Sequence, residues 1–417
     1  LRSFSFIHAA DVHLDSPLHG LARYDGVPVE EVRGATRAAF GRLIDTAIDR
    51  RVDFLIISGD LYDGDWRDMG TGLYFAAAMG RLGRAGIPVY LLAGNHDAAS
   101  VITKNLPPIP NVLTFRTDKP ETHRIDHLGV ALHGRSFAER DVYENLAAGY
   151  PAAVSGAFNI GLLHTALGGY AAHAAYAPCT PQELAAKGYD YWALGHVHDH
   201  AVIATDPYIV FPGNLQGRNI REHGPKGVVL VAVEDGAVVR LTPLALDVVR
   251  WARVPVDATG AAEMTDLHAL IRAGIRAARE ALAEERPLLL RVTVEGETAL
   301  HGALQDVAAA LRDDVRGIAA EVAADLWIEK VEVRTSPVQA PLAGVATEAA
   351  AMDDIGGLLG AADETLIAAL KAEFAPFLAS LPTPDPGSLL HAAAQGDWAE
   401  IIGVAGSALG TRLGSAR

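Results

Sequence analysis

The chain has 417 residues, a formal net charge of −16 and one cysteine. A single hydrophobic core stops growing near roughly 250–300 residues, so two or three domains are expected. The acidic balance argues against a generic nucleic-acid coat, which is normally basic. Cys179 alone excludes an internal disulfide framework and fits a reducing cytoplasm. The opening run Leu1–Ile7 is too short for a signal peptide. No stretch approaches the roughly 20 apolar residues of a membrane span. The expectation is a soluble cytoplasmic protein with no membrane association.

Residues 1–249 alternate strand and helix signals. Phe4–Ala9 is a short apolar run that leads to Asp11. Thr36–Arg50 has helical spacing, with Ala39, Leu43 and Ala47 on one face. Asp53–Ser58 reads as a buried strand closed by Gly59, Gly72–Arg84 as a helix, and Pro88–Ala93 as a strand before Gly94. More closely spaced strands follow at Gly129–His133, Phe158–His164, Tyr191–Leu194, Ile209–Phe211 and Gly227–Glu234. Continuous apolar runs of this kind belong to strands covered on both faces. Their spacing implies a second sheet, giving an α/β fold in four αββα layers. Ligands then belong on the loops just past the strand ends.

Residues 250–335 change rhythm. Trp251–Val256, Leu288–Val294 and Leu326–Arg334 read as strands, separated by helical stretches Met264–Glu285 and Ala299–Ala324. This is expected to be a small α+β domain. Residues 336–417 are rich in Ala, Gly and Pro and offer two amphipathic helices. Leu366, Leu370, Phe374 and Phe377 share one face, and Trp398, Ile402, Ala405 and Leu409 another. Such a pair either caps its own domain or docks on a partner.

Five motifs carry the chemistry. They are Asp11-Val12-His13, Gly59-Asp60-Leu61-Tyr62-Asp63, Gly94-Asn95-His96-Asp97, a lone His164, and Gly195-His196-Val197-His198. A carboxylate such as Asp60 has two oxygens and can bridge two metals at the roughly 3.5–4 Å spacing of two-metal hydrolases. Asn95 offers an oxygen without adding negative charge that would repel a phosphate. His13, His164, His196 and His198 add nitrogen donors. Mixed nitrogen and oxygen donors suit Mn²⁺, Fe or Zn²⁺ better than Mg²⁺ or Ca²⁺. His96 stands beside a ligand and can either protonate a leaving oxygen or stabilise developing charge. Asp63 and Asp97 are placed to orient ligands. A lone Asp-x-His usually marks a turn, and a lone histidine usually satisfies a core. The order of all five, each behind an apolar strand, is what points to a metal centre. The other eleven histidines, His8, His133 and His200 among them, have no such context and read as structural.

In these motifs residues 4–245 resemble the calcineurin-like metallophosphoesterase superfamily. Ala10–Leu18 and Phe211–Arg218 resemble its DNA-repair exonuclease branch, which holds the nuclease subunit of SbcCD-type complexes. Arg218–Gly227 is most similar to the YhaO-type members. The resemblance implies a metallophosphoesterase sandwich, with residues 250–335 as a capping domain. It implies one metal on Asp11, His13, Asp60 and His198, and a second on Asp60, Asn95, His164 and His196, with His96 catalytic. It implies Mn²⁺, 3′→5′ exonuclease and also endonuclease activity on DNA, a homodimer, and an SMC-like coiled-coil ATPase partner of the SbcC type. Arg218, Arg221, His223 and Lys226 form a basic cluster suited to a phosphate backbone, though a solvated loop looks the same in sequence. The competing function is a phosphodiesterase for cyclic or dinucleotides, which the net charge of −16 favours slightly.

Overall fold

The computed structural model describes residues 3–16, 32, 34–63, 68–99, 108–168, 176–282, 286–338, 367, 371–372, 374–375, 389–398, 401 and 404. Up to residue 249 the elements are, in chain order, β1 (Phe4–Ala9), α1 (Ala35–Arg50), β2 (Phe54–Ser58), α2 (Met69–Arg84), β3 (Val89–Leu92), α3 (Asn95–Ala99) and β4 (Val112–Thr114). They continue with β5 (Glu121–Ile125), β6 (Val130–Gly134), β7 (Phe158–His164), α4 (Pro181–Ala185), β8 (Tyr191–Gly195), β9 (Ala201–Thr205), β10 (Tyr208–Phe211), β11 (Gly227–Glu234) and β12 (Ala237–Ala245).

The strands form two six-stranded sheets, ordered β12-β11-β1-β2-β3-β4 and β5-β6-β7-β8-β10-β9. In the first, β1 to β4 are parallel, β11 runs antiparallel to β1, and β12 runs antiparallel to β11. In the second, β6, β7, β8 and β10 are parallel and β5 and β9 antiparallel. Side chains alternate along each strand. On β1 and β2, Phe4, Phe6, Phe54 and Ile56 face the second sheet, while Ile7, Ala9, Leu55 and Ile57 face the helices. Phe6 stacks on Phe54 at 5.0 Å, and these rings meet Leu132, Ile160, Leu162 and Tyr191 between the sheets.

The outer face of the first sheet lies under α1 and α2, whose Phe40, Leu43, Phe75 and Met79 are buried against it. Burial at Ala39, Phe40, Leu43, Ile44 and Ala47 gives α1 one apolar stripe. The outer face of the second sheet is covered differently. Leu163, Trp192 and Leu194 pack under Phe137, Leu146, Tyr150 and Leu184, which come from loops, the 3-10 turn Leu146–Gly149 and the short α4. Among the described residues this fourth layer holds no long helix.

Beyond residue 249 come β13 (Arg250–Asp257), α5 (Met264–Leu282), β14 (Leu288–Glu297), α6 (His301–Asp306), α7 (Ala308–Val322), β15 (Leu326–Ser336) and α8 (Leu389–Gln395). Strands β13, β14 and β15 form a three-stranded sheet in that order. The single helix expected over Ala299–Ala324 is two, because Val307 leaves helical geometry at ψ 22°. Two compact units are distinguished. One is Leu1–Pro255 with Ile271–Thr293 and Val315–Glu332; the other is Val256–Leu270 with Val294–Asp314 and Val333–Arg417. Within the second, Ala258 N donates to the Glu295 carbonyl at 2.7 Å. Of the expected tail helices, Leu366, Leu370, Phe377, Ile402, Ala405 and Leu409 lie outside the described residues. The Phe374 and Trp398 rings sit 6.1 Å apart. Among the described residues no helix is long and apolar enough to cross a membrane.

Candidate metal centre

The five motifs leave the C-terminal ends of β1, β2, β3, β7 and β8, so both sheets feed one point. The loops after β1 and β2 stay knitted past their strands. Asp11 N donates to Gly59 O and His13 N to Asp60 O, each at 3.0 Å. The backbone there is left-handed, with φ 49° at Asp11, 44° at His13 and 52° at Asp60; His196 has φ 97°. Non-glycine residues occupy this region at a cost, and such outliers gather at functional sites.

Two glycines are demanded by close approach. A Cβ on Gly59, itself at φ 95°, would sit 2.3 Å from His164 Nδ1. One on Gly195 would sit 2.0 Å from Ser58 O and 2.9 Å from His164 Nδ1. His164 therefore lies in a slot that only glycine leaves open.

Asp60 stands at the middle. Its Oδ2 is 3.9 Å from His13 Nε2 and 3.4 Å from His164 Nε2, while its Oδ1 accepts His96 N at 3.0 Å. His164 Nε2 also meets Asn95 Oδ1 at 3.0 Å, and its Nδ1 meets Ser58 O at 3.0 Å. Asp11 lies 3.7 Å from His198 Nε2 and accepts His196 N on both oxygens, at 3.2 and 3.0 Å. The His196 ring is 5.2 Å from that of His164. Three donor groups come within 4.8 Å internally: Asp11, His13 and His198; Asp11, Asp60 and His164; and His13, Asp60 and His96.

His13 supplies the test of fit. Its imidazole is 1% exposed, and neither ring nitrogen has a hydrogen-bond partner. Buried polar atoms are almost always paired, so the one nitrogen lone pair of this ring, left free beside Asp11 and Asp60, suits a cation. Burial, with Arg218 adding to it, lowers His13 to about 4, which keeps the ring neutral and able to donate electrons. Burial works against the charge of Asp60, but His164, His13 and His96 outweigh it and hold its carboxyl well below the usual range. These groups fit divalent cations beside Asp60.

The supporting residues are equally defined. Asp97 accepts Leu61 N, Tyr62 N and Gly94 N at 3.1, 2.9 and 3.0 Å, which ties the second motif to the third. Burial and nearby Asp60 raise its carboxyl to about 7 against those three amides. Asp63 holds His96 Nδ1 at 3.0 Å and accepts the Ser16 hydroxyl. The His96 side chain is 32% exposed, the open edge of an otherwise buried centre.

The basic cluster does not stay together. Arg218 turns inward to Glu222 at 2.9 Å and to Asp63 at 3.6 Å. Lys226 is buried, donating to His198 O at 2.7 Å and to Asp199 at 2.8 Å. Arg221 and His223 are exposed. Glu222, which holds His198 Nδ1 at 2.8 Å, escaped the sequence reading altogether. Its only signal was an acid four residues after Arg218, inside a segment read for its positive charge.

Fold and donor set together define a metallophosphoesterase, a hydrolase built around two divalent metal ions. Residues 4–200 match the calcineurin-like phosphoesterase family, and residues 251–336 match the middle domain of metallophosphoesterase YhaO. The metallophosphoesterase YhaO of Bacillus subtilis (strain 168) is 34% identical over 300 residues, covering 71% of this chain and 72% of that protein. The chain belongs to the calcineurin-like metallophosphoesterases, in the YhaO family. A relative described as DNA double-strand break repair protein Mre11, from Methanopyrus kandleri, is 26% identical over 263 residues. That match covers 56% of this chain and 54% of the relative, about half the length of each. A dimetal phosphatase from Danio rerio aligns over 56% of this chain and 93% of its own, with TM-score 0.33 and 11% identity.

Proposed function

We propose that this hydrolase cleaves the phosphodiester bonds of DNA, as a 3′→5′ exonuclease with endonuclease activity besides, in DNA repair. The observation that carries the reading is His96, half-exposed at the mouth of a buried donor cluster and held by Asp63 at 3.0 Å. The Mre11 relative supports DNA as the substrate. Mn²⁺ is the metal we assign. Asp11, His13, Asp60 and His198 would hold one ion, and Asp60, Asn95, His164 and His196 the other. When bound, such a pair neutralises phosphoryl oxygens and lowers the pKa of water.

The chain's own residues do the rest. Asp60 and Asp11 fix negative charge at the floor, and neutral Asn95 spares the phosphate further repulsion. Burial works against the charged form of His96, but Asp63 and Asp60 outweigh it and raise its pKa, which favours the protonated ring. With Nδ1 on Asp63, Nε2 is the atom that gives a proton to the leaving 3′-oxygen. General acids of this kind contribute roughly 10²–10⁴-fold. Arg221 is the exposed cation of its loop and meets the backbone phosphates beyond the cleaved bond. The protein acts in the cytoplasm as a homodimer with a coiled-coil ATPase of the SbcC type, for which residues 336–417 are the docking candidate.

The test is metal-free protein reconstituted with Mn²⁺ on linear DNA, beside His96→Ala. Mononucleotide release by the parent and its near-loss in the variant is expected. Equal rates in both would remove His96 from the mechanism. The charge of −16 favours a second reading, a phosphodiesterase for cyclic or dinucleotides. Turnover of those compounds with none on DNA would decide for it.

A further inference from the structure

We propose that Glu222 and Arg218 are positioning residues. On this proposal Glu222 makes His198 a metal ligand, and Arg218 ties that ligand to the partner of His96. The inference rests on the two-metal reading above.

The Glu222 carboxylate is 7% exposed and occupied on both oxygens. Its Oε2 accepts Arg218 N at 2.7 Å and Asn214 Nδ2 at 2.9 Å. Those two bonds close the loop between β10 and β11. The loop is anchored elsewhere as well. Gln216 Nε2 donates to Val249 O at 2.6 Å, and Trp251 Nε1 donates to Gly217 O at 3.0 Å. The other oxygen bonds the Arg218 side chain of the same loop and also reaches beyond the loop to His198. Oε1 faces His198 Nδ1 at 2.8 Å and the Arg218 guanidinium at 2.9 Å. Two N–H donors on Oε2 and the Arg218 guanidinium on Oε1 surround Glu222 with the partners of an ionised carboxylate.

An ionised carboxylate only accepts, so His198 must donate from Nδ1. Nε2 then keeps its lone pair, 3.7 Å from Asp11 Oδ1 and directed at the donor cluster. A carboxylate behind a ligating histidine fixes both its tautomer and its ring orientation. Arg218 extends the arrangement. NH2 meets Glu222, and NH1 lies 3.6 Å from Asp63 Oδ2, whose other oxygen holds His96. One chain of groups, His198–Glu222–Arg218–Asp63–His96, thus links a ligand to the proton donor.

Glu222→Gln separates this role from loop closure. With its oxygen kept on Arg218 N and Asn214, its amide nitrogen donates to His198 Nδ1. The ring must then carry its proton on Nε2, where a metal would bind. The experiment compares parent and Glu222→Gln, both metal-free, by ¹⁵N-histidine NMR for tautomer and by calorimetric titration with Mn²⁺. The expected parent shows His198 protonated at Nδ1 and binds two ions. The variant moves the proton to Nε2 and loses roughly 10–100-fold affinity at one site only. Arg218→Ala, read alongside, keeps the tautomer and both ions but lowers kcat at constant KM. Parent-like affinity at both sites in Glu222→Gln would overturn the role of Glu222, and unchanged kcat in Arg218→Ala would overturn the link to Asp63. A parent that binds no Mn²⁺ would overturn the two-metal reading and this proposal with it.

Discussion

The loops of the first sheet and those of the second bring different side chains to the centre, and they fix them by different means. The first sheet supplies all the oxygens, Asp11, Asp60, Asp63, Asn95 and Asp97, together with His13 and His96. Asp11, His13 and Asp60 are set by left-handed backbone and by main-chain bonds between neighbouring loops, and Asp97 by the three amides it accepts. The second sheet supplies imidazoles: His164, His196 and His198. Two of these are aimed by a partner on the far ring nitrogen, Ser58 O for His164 and Glu222 for His198. The acids are thus arranged within one sheet. His164 and His198 depend on contacts made across the seam or from a later loop. The centre is a property of the packed pair of sheets.

The sharpest way to break this arrangement is at the residue both sheets share. Asp60→Asn should abolish metal bridging. It should cost more than the roughly 10²–10⁴-fold that loss of a general acid alone costs, read as turnover of a phosphodiester with Mn²⁺. Retained turnover would mean that Asp60 does not bridge. His96→Ala comes next. It should lower kcat on DNA by roughly 10²–10⁴-fold and leave Mn²⁺ stoichiometry unchanged. The loss should shrink on a p-nitrophenyl diester, whose leaving group needs no proton. An equal loss on both substrates would assign His96 another role.

Gly195→Ala probes the seam itself. The added Cβ would press on Ser58 O and His164 Nδ1. Overpacking of this kind costs about 1–3 kcal/mol, visible as a lower unfolding midpoint together with weaker metal binding. An unshifted midpoint would show that the slot accepts a methyl group without strain.

A last effect, visible only on acidification, concerns His8, which faces the second sheet from the first. Its Nδ1 meets the Tyr191 hydroxyl at 3.1 Å and its Nε2 the Leu194 carbonyl at 3.0 Å. Burial lowers its pKa from 6.5 to about 3. The unfolded chain therefore binds the extra proton first. The stability His8 contributes is whole above pH 6.5 and is lost as pH falls toward 3, by about 1.4 kcal/mol per unit within that window. His8→Gln should flatten the dependence of denaturant midpoint on pH between 6 and 4. The same slope in parent and variant would contradict a neutral, buried His8.

How much of this was legible in the sequence follows from burial. Strands β1, β2, β3, β7 and β8, which carry the motifs, are nearly continuous apolar runs and were found close to their ends. The strands left unread were β4, β5, β9 and β12. They are the four edges of the two sheets. Half-exposed patterns such as those of β5 and β9 give no apolar run to detect. The metal ligands were readable because each sits at a fixed step past a buried strand. Glu222 was not, because its meaning comes from a fold that returns residue 222 to residue 198 through a hairpin of strands. Lys226 misled for the same reason. Composition gives a charge its sign, and only packing shows that this one is buried on Asp199.

The central claim is that two sheets build one two-metal centre around Asp60. Anomalous diffraction from a crystal soaked in Mn²⁺ tests it most directly. Two peaks are predicted, both in contact with the Asp60 carboxylate, one also beside His13 and His198 and the other beside Asn95 and His164. No peak at Asp60, or a single ion held without it, would contradict the account.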